Sequence, residues 1–229
     1  MTIHKIFDRE HESAGLRELL ARGTPQLALL RGRRRVGKTY LLSHMWPRDV
    51  AAFYFTAAET TPEQNREALV QAFASWSGLA LHVEDYPTWR TVFRLLVNYD
   101  PGRPVVLTLD EFQYLGDDDK GLRAVASALN AEWEPTLATG RQQLIVLSGS
   151  AVRIMEHLAN GGSPLYGRCD LNLRLQPFDY WDAGLMSGYT AHRDQARTYG
   201  VSPGHRRRSR RIWQDRHARP ADGGPWAAR

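Results

Sequence analysis

The 229-residue chain has one cysteine, Cys169, and so cannot form an internal disulfide. A lone thiol suits a reducing compartment, and the cytoplasm is the expected location. No apolar run approaches the ~20 residues needed to cross a bilayer, so no membrane partner is expected. Residues 1–10 lack the apolar centre of a secretion signal. The histidines, among them His44, His82 and His157, fall in no zinc-ligand spacing, and Cys169 has no second cysteine to join it. Ser148-Gly149-Ser150 lacks the flanking pattern of a nucleophile elbow. No internal repeat is found.

An excess of positive charge is also missing from most of the chain, although the net charge is +5. Residues 191–229 hold ten Arg and three Asp, which gives +7 and leaves −2 for residues 1–190. The body is therefore near neutral, and a nucleic-acid footprint over the whole surface is not supported.

What is present is an alternation of apolar strands with helical runs. Phe7 to Glu10, then Leu16, Leu19 and Leu20, predict a first helix, with Asp8 or a neighbour as its cap. Strands are predicted over Gln26–Leu30, Val50–Phe55, Val105–Asp110, Leu144–Ser148 and Leu171–Leu175. The nearly continuous apolar run of the second predicts cover on both faces. Helices are predicted over Lys38–Met45, Leu122–Trp133 and Val152–Leu158. Another starts at Thr61-Pro62-Glu63-Gln64, which reads as a hydroxyl cap, a first-turn proline and a completed capping box. Trp89, Val92, Phe93, Leu96 and Val97 recur at helical spacing, which argues for core packing. Strands separated by helices imply a mainly parallel sheet covered on both sides, an α/β three-layer sandwich.

Gly32-Arg33-Arg34-Arg35-Val36-Gly37-Lys38-Thr39 follows the first strand and opens a helix, the context a phosphate-binding loop requires. The glycines let backbone N–H groups turn inward around anionic oxygens. Lys38 is expected on the β/γ-phosphates and Thr39 as an oxygen ligand to Mg²⁺. The nucleotide contacts are expected to run from Gly32 through Tyr40. Arg33, Arg34 and Arg35 either add positive potential around ATP or face solvent. Asp110-Glu111 end an apolar strand, with Asp110 placed to orient Mg²⁺ and Glu111 to polarise the attacking water. Ser148 is the first choice for a side chain lying between these acids and the γ-phosphate, with Ser150 the alternative; a strand-end turn would also account for both serines. Arg168 is a candidate for stabilising transition-state charge, in its own site or a neighbouring subunit's, or for a structural ion pair. Transporter and kinase readings find no matching signature.

Phe7 to Glu10, Gly32 to Thr39, Asp110 to Leu115, Ser148 to Ser150 and Pro164 to Arg168 occur in that order. In that combination, from about residue 5 to residue 190, the chain resembles the archaeal-type ATPases of the AAA+ and STAND-related P-loop group. Many of these carry a DUF234-type, nuclease-like carboxy-terminal region. The resemblance implies a five-stranded parallel core in the order 5-1-4-3-2, with ATP and Mg²⁺ binding and a shape change that acts on another domain, a protein partner or a second copy of the chain. It places Lys38 and Thr39 at Walker A, Asp110 and Glu111 at Walker B, and Ser148 at sensor 1. Arg168 falls near the arginine-finger region.

Relatives of this kind continue past the fifth strand into a helical lid and a winged helix. Here Pro177 to Trp181 reads as the exit from an ATPase core spanning residues 1–190. Residues 191–229 form a basic tail in place of the lid and winged helix. Residues 201–229 contain no Leu, one Val and one Ile, and His205 to Arg211 is strongly basic. This composition cannot build a lid. It fits a truncated or frameshifted end, a passive tail, or an arm for DNA or another polyanion. The expected function is Mg²⁺-dependent ATP hydrolysis coupled to conformational change. The alternatives are a nucleotide-dependent switch or scaffold with little turnover, and a DNA-associated ATPase.

Overall fold

The computed structural model describes residues 9–177. Asp8, Phe178 to Trp181 and the basic tail, on which several sequence expectations rest, lie outside the described residues. Of the described residues, 9–34 with 38–176 form a first compact unit, and 35–37 are assigned to a second.

In the first unit five strands, β1 (Gln26–Arg31), β2 (Ala51–Thr56), β3 (Val105–Asp110), β4 (Gln143–Gly149) and β5 (Leu171–Arg174), form one sheet. Its order is β2-β3-β4-β1-β5. This is the order 5-1-4-3-2 read from the other edge, and every pairing is parallel. The central strands β3 and β4 are buried along their whole length, which explains their mainly apolar sequences.

Among the described residues six α-helices cover this sheet: α1 (Glu10–Ala21), α2 (Lys38–His44), α3 (Pro62–Ser77), α4 (Trp89–Asn98), α5 (Asp119–Trp133) and α6 (Val152–Ala159). Leu27, Leu29, Phe53, Leu107, Leu109, Ile145 and Leu147 point to one face of the sheet and share a core with α3 to α6. The alternate residues point to the other face, where α1 and α2 bring buried Leu16, Leu19, Leu41 and Leu42.

Local chemistry sets the helix ends. Thr61 accepts from the Gln64 N–H at 3.3 Å, Pro62 takes the first turn, and Gly78 closes α3 at φ 73°. The capping box expected there is only half made. The Gln64 side chain hydrogen-bonds with the Thr60 hydroxyl, not with the Thr61 N–H. The reciprocal box occurs instead on α4, between Thr88 and Thr91. Asp118 caps α5 by accepting from Gly121 N–H at 2.7 Å, so that helix begins three residues before the expected Leu122.

Two-sided cover of β2 is corrected by its burial, which alternates. Ala51, Phe53 and Phe55 are buried, Ala52 and Thr56 are exposed, and Tyr54 is half-buried. The strand lies at the edge of the sheet, and α2, only seven residues long, leaves much of that face open. Arg9 does not cap α1 through its side chain. It is buried, and its guanidinium donates to the Gln176 carbonyl at 2.6 Å, tying the start of α1 to the residues just after β5.

Candidate functional site

The connection from β1 passes to α2 on one face of the sheet, and that from β4 passes to α6 on the other. Adjacent strands whose connections part in this way leave a crevice at their carboxyl ends, where ligands bind in open α/β sheets. Here the Gly32 N–H donates to the Gly149 carbonyl at 3.3 Å across the crevice.

Three predicted residues of the first unit converge beside it. Lys38, only 5% exposed, donates through Nζ to the Gly32 carbonyl at 2.8 Å and to that of Arg33 at 3.4 Å. Burial pushes the Lys38 ammonium below its ordinary pKa, while the charges of Asp110 and Glu111 pull it back up. The Thr39 hydroxyl donates to Asp110 Oδ2 at 3.1 Å, and Asp110 Oδ1 accepts from the Glu111 N–H at 3.0 Å. Asp110 is 2% exposed, so its carboxylate depends on these donors and on the nearby ammonium.

Arg35 and Gly37 take positive φ, 73° and 98°. Glycine adopts this backbone without strain, whereas for arginine it costs about 1–3 kcal/mol. Val36 is buried, and Arg33 and Arg35 are exposed. The Arg34 guanidinium, also exposed, donates to the Tyr114 hydroxyl at 2.6 Å. The Tyr40 ring stacks on His44 one turn along α2, with centroids 4.2 Å apart.

The two candidate serines are placed differently. Ser148 is fully buried, and its hydroxyl has no hydrogen-bond partner among the described residues. It follows Leu147, which pairs with Leu109, so by strand alternation it shares the Asp110 face. Ser150 reaches the acids directly, donating to Glu111 Oε2 from its hydroxyl at 2.7 Å and from its N–H at 3.1 Å.

Arg168 is not brought to this cluster. Its guanidinium pairs with Glu134 at 2.8 Å, just beyond the end of α5, where the strands begin. Of the roles open to it in the sequence, the structure displays the ion pair, and its own crevice lies at the opposite ends of the strands.

The sequence reading missed two neighbours. The Tyr54 hydroxyl donates to Asp110 Oδ2, and burial together with that carboxylate pushes its pKa far up, so it remains a neutral donor. Its signal was the alternation of β2, hidden by a run that looked uniformly apolar. Gln113, 8% exposed, donates to Glu111 Oε2. Beside these residues opens a groove of about 700 Å³, walled by Arg34, Tyr114, Gln113 and Ser150 and rimmed by Asp117 and Asp119.

The oxygen donors fit Mg²⁺. The Thr39 hydroxyl and the Asp110 carboxylate are hard ligands in contact, and this ion is ordinarily held by one or two side chains together with phosphates. Among the described residues no three His, Cys, Asp or Glu side chains gather as an all-protein metal cage.

No protein-family model and no curated protein matches the chain. Solved structures do. A Walker-type ATPase of Pyrococcus abyssi is similar at 22% identity and TM-score 0.60, over 93% of this chain and 72% of that one. The ADP form of the Aeropyrum pernix ORC2 protein is similar at 17% identity and TM-score 0.66, over 91% of this chain and 62% of that one. The ORC1 protein of the same organism in complex with DNA is similar at 17% identity and TM-score 0.61, over 90% and 58%. At these identities the likeness is one of fold alone, a parallel five-stranded sheet covered by helices. The chain spans about three-fifths of the length of these two ORC proteins.

Proposed function

We propose that the protein binds ATP in the loop from Gly32 to Thr39 and hydrolyses it with Mg²⁺. One observation carries the reading: a buried lysine, a hydroxyl and a buried aspartate meet at the carboxyl ends of β1 and β3, the parallel strands on either side of β4, with Glu111 one residue further on. Each has a separate task. The Lys38 ammonium, held now by two backbone carbonyls, exchanges them for β/γ-phosphate oxygens. Thr39 and Asp110 would hold Mg²⁺, which would screen the phosphate charge. Glu111 accepts the proton of the attacking water as the oxygen–phosphorus bond forms. Tyr54 keeps Asp110 oriented. Ser150 and Ser148 are the candidates for sensing the γ-phosphate, and Arg168 would act only from a neighbouring copy. Hydrolysis then changes shape to act on a protein partner or a second copy of the chain.

Nucleotide binding tests the first half of this reading. Lys38→Ala should weaken ATP binding about 10–100-fold, the worth of a charge-assisted contact. Equal affinity in a direct titration would remove Lys38 from the site.

A DNA-associated ATPase is the second reading. The fold likeness to an ORC1 protein in complex with DNA supports it, as does the basic run His205 to Arg211. DNA binding by the full chain that weakens steeply with salt is its expected mark, and binding indifferent to salt would count against it.

A further inference from the structure

Glu111 stands at φ 53° and ψ 41°, a backbone region unfavourable for a side-chain-bearing residue. Its carboxylate is held unequally. Oε2 accepts from Gln113 Nε2, from the Ser150 N–H and from the Ser150 hydroxyl, while no described residue donates to Oε1.

Gln113 is fixed in turn. A carboxylate only accepts, so the amide nitrogen must face Glu111 and the amide oxygen must take the other side. There Gln113 Oε1 is buried and finds no donor. A Cβ on Gly149 would stand 2.4 Å from this oxygen and 2.6 Å from Met155 Sδ, so the absence of a side chain at 149 makes room for the amide. A buried carbonyl without a donor is destabilising, and leucine of similar size would avoid that cost. Stability alone does not favour glutamine here.

We infer that Gln113 is a positioning residue for Glu111. With Ser150 it clamps Oε2 and leaves Oε1 as the one oxygen open to a water proton. The step it serves is unchanged: water loses a proton to Glu111 as its oxygen attacks the γ-phosphorus and the bond to the ADP oxygen breaks. The inference rests on Glu111 being the water-activating group.

The test uses the full chain, with kcat and KM for ATP and a direct nucleotide Kd measured for each variant. Gln113→Leu should lower kcat about 10–100-fold while Kd stays within about twofold, as expected when a reacting group is misplaced. Ser150→Ala should cost less, because its backbone N–H remains, and Ser150→Thr should restore the rate. In a Glu111→Gln background neither Gln113→Leu nor Ser150→Ala should lower the residual rate further. An unchanged kcat in Gln113→Leu, an effect confined to KM and Kd, or an equal loss in the Glu111→Gln background would overturn the inference. Should Gln113→Leu fail to fold, the serine pair decides, and equal rates for Ser150→Ala and the parent protein would sink it. If Glu111→Gln hydrolyses ATP like the parent, the reading of Glu111 itself fails. If only Gln113→Leu does so, the clamp alone fails.

Discussion

At the residue scale the site consists of charges kept where water is scarce. Lys38 and Asp110 are both almost fully buried, and each is acceptable only because the other and a few fixed donors are near. The sequence picked out these residues because the phosphate-loop pattern asks for particular residue types at particular spacings, and the structure brings Thr39 and Asp110 into contact beside Lys38. The pattern did not reveal Tyr54 or Gln113, whose roles depend on which way a strand edge and a short turn face. Cys169 shows how burial can instead quiet a reactive group. Burial, and then the neighbouring Asp170, push its thiol up to about 11. At pH 8 roughly a thousandth of it is thiolate, so alkylation should run about 100-fold slower than for a thiol of ordinary pKa. Reaction of the folded protein at the rate of free cysteine would contradict this.

At the element scale the strands follow from their sequences almost residue by residue. β3 is found at Val105–Asp110, as its apolar run and flanking breakers predict. The helix caps were less legible, because neighbouring side chains compete for them: α3 starts at Pro62 as expected but Thr60 takes the Gln64 side chain, and the Asp118 carboxylate draws α5 back to Asp119. Nor could sequence show how α4 and α5 are joined. Glu132, on α5, accepts from Arg90 at 2.6 Å and from Arg94 at 2.9 and 3.0 Å, both on α4. The Arg94 hydrogen bonds, with help from Arg90 and against the cost of burial, hold the Glu132 carboxyl down to about 2. The folded value is below the ordinary 4.5, so this contribution to stability is complete above that pH and fades as pH falls toward 2. Glu132→Gln should therefore be less stable than the parent at neutral pH, with the gap closing below pH 4.5 in acid titrations followed by circular dichroism. A gap that stays constant across that range would show that the ion pairs do not carry it.

At the scale of the whole molecule, one topological fact organises the rest. The connections of β1 and β4 leave on opposite faces, so Lys38 and Thr39 after β1, the acids at the end of β3 and the serines at the end of β4 gather at the carboxyl ends of the strands. Alternation of strands and helices was enough to read the class of fold. The placement of Arg168 was not readable in this way, since only the return of the chain through α6 carries it to the amino ends of the strands, beside Glu134. If Arg168 has a part in catalysis, it acts on another copy, and turnover should then rise with protein concentration as copies associate. The central claim is nonetheless chemical, that Glu111 activates water for attack on ATP. The most direct measurement is Mg²⁺-dependent phosphate release by the full chain and by Glu111→Gln, with nucleotide affinity and oligomeric state determined in the same buffer. The account predicts equal ATP affinity and a loss of turnover of about 10²-fold or more in the variant. Turnover undiminished in Glu111→Gln, at equal affinity and assembly, would contradict it.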